Sequence, residues 1–352
     1  MKPSEPQGPP PSARILQLVT AGWLAQAVSV AAGLGIADEL AEGPRPVDQI
    51  AKAVDAHPPT LYRLLRACTD AGLLTELDGQ VFALTETGEA LRTDGPGSMR
   101  HFAMWTGLAA ERQTWTELAR SVKTGEPAFA AVHGHEVFEY MGAHPDVLTV
   151  FDKAMTEASS QIIAPVVAAY DFGAFATIVD VGGGRGALLA AILAANADAH
   201  GVLFDQPGVI AAAGGVLAGA PPGVAARTTL ASGDFFASVP SGGDAYLLSN
   251  ILHDWDDEPS RRILANCREA MAPGGRVLLV EAVLPERPVR AAPPAGAPPA
   301  LTVSLMDLDM LVLNGGRQRS AAEFAALLGQ AGLRLTRVVP GGFCSVVEAV
   351  LG

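Results

Sequence analysis

The sequence predicts an α/β fold with a Rossmann-like, mostly parallel sheet, preceded by an all-α and winged-helix region. Three observations predict it. Residues 177–186, TIVDVGGGRG, join a β-branched strand to a glycine turn, and the apolar run from Ala187 supplies the following helix. Strands, or turns beside them, then recur at the spacing of a βα repeat, at 202–207, 233–236, 245–258 and 271–286. Before residue 93 the pattern is helix, turn, helix and short hairpin.

Taken in chain order, residues 1–13 are Pro-rich, with neither a basic start nor an apolar core. They read as a disordered tail and not as a signal peptide, so retention in the cytoplasm is the expectation. Residues 15–37 carry no charge and are long enough to span a bilayer. Gln17, Thr20, Gln26 and Ser29 interrupt the stretch, and Gly22, Gly33 and Gly35 are expected to break it into shorter helices. A buried helical interface is therefore predicted, and no membrane partner.

Residues 46–92 read as a winged helix, with the hairpin closing around Asp78 and Gly79. That shape raises DNA binding as a function. Residues 45–92 hold five basic and seven acidic side chains, and the whole chain of 352 residues has a net charge of −13. Phosphate neutralisation needs clustered Lys and Arg, so nucleic acid is not the expected partner. Residues 100–170 are helical by periodicity, with Phe138, Phe151 and Met155 on helical spacing. Cys68, Cys267 and Cys344 are scattered in apolar settings and read as reduced core residues.

The glycine turn at Gly182, Gly183, Gly184 and Gly186 allows a tight bend and a close backbone approach to a ligand at the N-terminus of a helix. By itself it does not choose the cofactor. Gly182, Gly184 and Ala187 also satisfy the degenerate dinucleotide fingerprint, and Asp205 could hold a ribose in either case.

With GDFF at 233–236, AYLLSNILHDWDDE at 245–258 and MAPGGRVLLVEAVLPE at 271–286 in this order, nearly the whole chain resembles a known family. It is similar to the class I S-adenosylmethionine-dependent O-methyltransferases of the plant and bacterial small-molecule type, which tailor caffeate, hydroxyindole and polyketide acceptors. The resemblance implies a seven-stranded methyltransferase domain ending in a hairpin edge near residues 333–351. It also implies a homodimer built by the N-terminal region, and S-adenosyl-L-methionine as donor with S-adenosyl-L-homocysteine as product.

Residue roles carry over by motif. His253 takes the place of the catalytic base, Glu281 that of the carboxylate orienting it, and Asp254 that of the motif's acidic residue. Asp180, Gly182 and Gly184 would meet the methionine end of the donor. Asp205, with Gln206, would take the ribose, and Asp234 and Phe235 the adenine, beside Ser249 and Trp255. Phe151, Met155, Asn250, Asp309, Met310 and Asn314 become candidates for the pocket of a small aromatic or polyketide-like acceptor. A phenol must lose its proton before it accepts a methyl group, and a histidine suits that task near neutral pH. No His, Asp and Glu cluster has ligand spacing, so no metal is expected.

The chain departs from the family pattern at Gln318, in GGRQRS at 315–320, where the second carboxylate flanking the histidine is replaced by an amide. An amide can accept a hydrogen bond but cannot stabilise imidazolium as a charge. Two alternatives stand beside this reading: chemistry other than methyl transfer on a retained donor site, to which Gln318 points, and a regulator built on the winged helix. The expected division is a tail to residue 13, a dimerisation domain at 14–98, a helical connector at 99–170 and a donor-binding domain at 171–352. A Pro- and Ala-rich insertion at 288–300 is expected to be mobile near the acceptor mouth.

Overall fold

The computed structural model describes residues 10–286 and 302–352. The 288–300 insertion and residues 1–9 of the tail lie outside the described residues. The described chain forms two compact units. One runs through Thr116 and includes Phe138–Ala158; the other takes Glu117–Val137 and the described residues from Ser159 onward.

The first unit begins with a single helix, Pro11–Leu34, which corrects two expectations. Helix starts inside the predicted tail, where Pro11 loses no hydrogen bond because first-turn N–H groups have no helical partner. Nor do Gly22 and Gly33 break it. A helical glycine costs only about 1 kcal/mol, and both sit in open space. Only Gly35 ends the helix, at φ +72°, with its N–H turned back onto the last carbonyls.

This helix is long and apolar enough to cross a membrane by length and composition, with a mean hydropathy of 1.5. Its polar residues are nevertheless tied into the unit. Gln26 Nε2 donates to Gly107 O at 3.2 Å, Arg112 reaches Gln26 Oε1 at 3.0 Å and Gly22 O at 2.7 Å, and Ser29 bonds Met104 O at 3.4 Å. The opposite face is bare within one chain, with Trp23 at 78% exposure and Val19 at 66%.

Helices Val47–Ala53 and Pro58–Asp70 follow, then the hairpin of Leu74–Leu77 and Val81–Leu84, which turns through left-handed Gly79 and Gln80. Ile50, Leu61, Leu65 and Phe82 form the centre of this winged helix. The later segment is two helices, Val137–Ala143 and Pro145–Ala169, so Phe138 does not share a helix with Phe151 and Met155. The break falls at His144, because a residue before proline is pushed out of the helical region.

The second unit contains a seven-stranded sheet in the order Leu333–Gly341, Cys344–Leu351, Arg276–Glu281, Ala245–Ser249, Thr177–Val181, His200–Asp205, Thr228–Ser232. Cys344–Leu351 runs antiparallel to both its neighbours and forms a hairpin with Leu333–Gly341; the remaining pairs are parallel. Alternation sorts the strands onto two cores. Ile178, Leu203, Leu247, Leu278 and Val280 pack on one face, and Val179, Tyr246, Leu248, Val277 and Leu279 on the other. A parallel sheet covered on both faces explains why these strands read as continuous apolar runs.

At the antiparallel edge Glu348 is buried and takes hydrogen bonds from Tyr170, Arg276, Arg337 and Thr336. The three cysteines are buried and unpaired, and burial pushes their thiols up to about 11 at Cys68 and about 12 at Cys267 and Cys344. They are core residues, far from thiolate chemistry at neutral pH.

Candidate active site

The carboxyl ends of the parallel strands deliver the chemistry-bearing side chains together, as expected for an open α/β sheet. Asp180 closes Thr177–Val181 in register with Leu203 and Leu247, Asp205 ends the next strand, and Glu281 ends Arg276–Glu281.

The turn after Asp180 requires glycine at specific places. Gly182 and Gly184 have φ of +69° and +59°, and a Cβ on Gly182 would stand 2.5 Å from Ile251 Cδ1. A Cβ on Gly183 would stand 2.4 Å from Asp180 Oδ2. Asp180 is 1% exposed, and neither of its carboxylate oxygens has a hydrogen-bond partner. Burial, then the charge of Asp205, pushes its carboxyl up to about 7. A buried carboxylate without a partner is costly, and a bound cationic group would relieve it. Asp205 takes Gln206 N at 2.6 Å on Oδ1 and Gly184 N at 2.9 Å on Oδ2, which holds it toward the turn with lone pairs left for ribose hydroxyls.

Asp234 Oδ1 accepts from Phe236 N at 2.8 Å, a side-chain turn that presents Phe235 and Phe236 after the strand end. Trp255 meets Phe236 edge-on, with centroids 4.8 Å apart, and Phe235 at 6.4 Å. Ser249 ends its strand beside Asn250, which adopts φ +52° and lies with Oδ1 3.8 Å from Cys344 Sγ. The turn, both aspartates and this aromatic group fit a nucleoside-bearing ligand with a cationic head.

His253 sits in a short 3-10 turn, Leu252–Asp254, and is 7% exposed. Its Nδ1 lies 3.0 Å from Gln318 Nε2 and 3.7 Å from Glu281 Oε2. Glu281 Oε1 accepts from Leu252 N at 2.9 Å and Ile251 N at 3.2 Å, while Oε2 has no hydrogen-bond partner. Burial raises the Glu281 carboxyl above its usual range, and His253 pulls it back. Asp254 Oδ1 is 3.6 Å from His253 Nε2 and takes Asn314 Nδ2 at 2.9 Å.

Sequence reasoning placed Asn314 in the acceptor pocket. The structure uses both ends of its amide inside this loop cluster, since Asn314 Oδ1 also accepts Gly316 N at 3.0 Å. Met310 is buried and Asp309 half-buried on the same helix, Val303–Leu313. Phe151 and Met155 are half-buried in the first unit, where Phe151 meets Trp105 edge-on at 5.0 Å. Arg319 was given no role from sequence. It is 1% exposed and bonds the backbone on both sides of the histidine. Its signal was present only as an arginine beside Gln318; its partners lie some sixty residues away. Among the described residues no group of three or more His, Cys, Asp or Glu could hold a metal ion.

Fold and site together define an α/β protein with a nucleotide-type cofactor site at the carboxyl ends of its parallel strands. Residues 115–334 match the O-methyltransferase domain model, and residues 16–94 match the O-methyltransferase dimerisation domain. The chain is 42% identical to a phenazine O-methyltransferase of Lysobacter antibioticus, across 97% of this chain and 96% of that protein. The LaPhzM crystal structure superposes with a TM-score of 0.90 at 41% identity, covering 98% of this chain and all of that one. The O-methyltransferase NcsB1 from neocarzinostatin biosynthesis, solved with S-adenosylmethionine and 2-hydroxy-5-methyl naphthoic acid, gives a TM-score of 0.76 at 37% identity over 93% and 96% of the two chains. The chain belongs to the O-methyltransferase family and is an enzyme of that class. Its dimerisation domain supports homodimer formation.

Proposed function

We propose that this enzyme transfers a methyl group from S-adenosyl-L-methionine to a phenolic hydroxyl of a small aromatic natural product, in specialised metabolism. The observation that carries this reading is the placement of Gln318 and Glu281 about His253 Nδ1, at the same carboxyl end of the sheet as Asp180 and Asp205. Similarity to enzymes whose names and complexes specify phenazine and naphthoate acceptors supports the aromatic class.

Bound S-adenosylmethionine supplies an electrophilic methyl group on a sulfonium. The protein's part is to fix the donor, exclude water and take a proton. Asp180 would neutralise the donor's ammonium, Asp205 would hold the ribose hydroxyls, and Asp234, Phe235 and Trp255 would enclose the adenine. Nδ1 of His253 is paired with Gln318, with Glu281 Oε2 at 3.7 Å, and Nε2, with Asp254 Oδ1 at 3.6 Å, is the nitrogen that would take the acceptor's proton. For that tautomer Nδ1 carries hydrogen and donates to the Gln318 carbonyl, so a half-turn of the Gln318 amide sets the base. Glu281 then stabilises the imidazolium. Alignment and dehydration dominate, because charge partly cancels as donor and phenolate meet.

Calorimetric titration of S-adenosylhomocysteine into wild type and Asp205→Ala tests the donor site, followed by a panel of phenols assayed with methyl-labelled donor. Binding lost in the variant, with label recovered on a phenol oxygen, supports the reading. No binding to wild type, or turnover of acceptors without label transfer, overturns it.

A further inference from the structure

We infer that Arg319 is a positioning residue for His253, holding the catalytic turn from behind while touching neither donor nor acceptor. The guanidinium is almost fully buried, and its hydrogen bonds to this segment go to backbone carbonyls. Its Nη1 donates to Leu252 O at 2.8 Å and its Nη2 to Trp255 O at 2.9 Å, the carbonyls just before and just after the His253–Asp254 pair. Asp257 Oδ1 anchors the other side of the fork, at 3.2 Å from Nε and 2.9 Å from Nη2.

A 3-10 turn of three residues satisfies few of its own carbonyls, and a buried one must find donors elsewhere. The short segment 316–319 supplies them. Arg317 N donates to His253 O at 2.8 Å, Gln318 meets the ring, and Arg319 takes the two flanking carbonyls. Gly316 lets the two backbones approach this closely, since a Cβ there would lie 2.0 Å from His253 O. The planar fork of arginine fixes directions that a lysine ammonium does not. Because Leu252 N also bonds Glu281 Oε1, a loosened turn would release the ring from its carboxylate as well.

The inference rests on His253 as the base, and the experiment separates the two. Arg319→Lys and Arg319→Gln are compared with wild type for kcat, for the Kd of S-adenosylhomocysteine and for the ring ¹⁵N shifts of His253, assigned with His253→Asn. A misplaced base costs on the order of 10²-fold in rate. The expected result is a loss of that order in kcat, donor affinity within about twofold of wild type, and displaced ring shifts, with Lys retaining more activity than Gln. Wild-type kcat and ring shifts in folded Arg319 variants would overturn the inference. If those variants do not fold, Asp257→Ala decides: this side chain is half-exposed, and its removal takes the acceptor from the fork. A smaller fall in kcat with shifted ring nitrogens supports the inference, and unchanged values overturn it. Full activity in His253→Asn would instead overturn the reading of the base.

Discussion

Gln318 Nε2 stands 3.0 Å from His253 Nδ1, while Glu281 Oε2, without a hydrogen-bond partner, is 3.7 Å from the same nitrogen. An amide thus occupies the closer of two positions from which a carboxylate could support the imidazolium. In Gln318→Glu a second negative charge would favour the protonated ring. The acid limb of kcat/KM is expected to move to higher pH. A pH–rate profile of the variant checks this, and an unmoved limb would show that the amide's place is electrostatically silent.

Donor binding should release a proton from Asp180. Its carboxyl, raised to about 7 by burial and by Asp205, is largely protonated in the free protein below that pH. A docked ammonium favours the ionised form. Affinity for S-adenosylhomocysteine therefore weakens as pH falls from 7 toward the ordinary carboxylate value, and is level above 7. Calorimetry at pH 6 in buffers of different ionisation enthalpy should report close to one proton released per site. The same shift means that Asp180 favours the folded, ligand-free protein at low pH, a contribution lost as pH rises from about 4 to about 7.

Gly183→Ala should abolish donor binding. The added methyl meets Asp180 Oδ2 at 2.4 Å and Leu203 Cδ1 at 2.6 Å, two buried side chains of adjacent strands that must shift to admit it. Overpacking of this kind costs ~1–3 kcal/mol of stability. Thermal melts with and without S-adenosylhomocysteine should show a lower Tm and no ligand-induced rise.

Glu348→Gln should destabilise the second unit without changing the donor Kd. Burial opposes the charge on Glu348, but bonds from Thr336, Tyr170, Arg337 and Arg276 outweigh it and hold the carboxyl at about 2. A depressed pKa contributes stability that is present above the ordinary value near 4.5 and lost as pH falls toward 2. Removing the charge should cost ~2 kcal/mol by denaturant titration at pH 7, since the two arginines keep part of their contact with water. The difference from wild type should shrink as pH falls below 4.5.

Trp23→Asp combined with Val19→Asp should dissociate the dimer. Both side chains stand on the bare face of Pro11–Leu34, and buried aromatic anchors are worth ~2 kcal/mol or more each at interfaces. Sedimentation velocity should show monomer at concentrations where wild type is a dimer.

Several strands along the chain, and the residues at their ends, were legible because parallel strands write their burial locally, as in TIVDV and VLLVE. The glycine turn and the LHDW segment likewise declared themselves within ten residues. The first helix misled, because uninterrupted apolar sequence ending in glycine does not say which glycine stops it; only Gly35 takes a left-handed backbone. Asn314 and Arg319 act on residues some sixty positions away, on Asp254 and on the backbone flanking His253, and no local pattern records such a contact. The substitution at Gln318 was visible, but not that its amide would be nearer to Nδ1 than the carboxylate.

The central claim, that His253 takes the proton from a hydroxyl as the methyl group is transferred, is tested most directly by His253→Asn in a methyl-transfer assay, with the donor Kd measured in parallel. Loss of a general base costs ~10²–10⁴-fold. The account predicts a fall in kcat within that range, with S-adenosylhomocysteine bound as tightly as by wild type. A variant that keeps the wild-type kcat at neutral pH would contradict it.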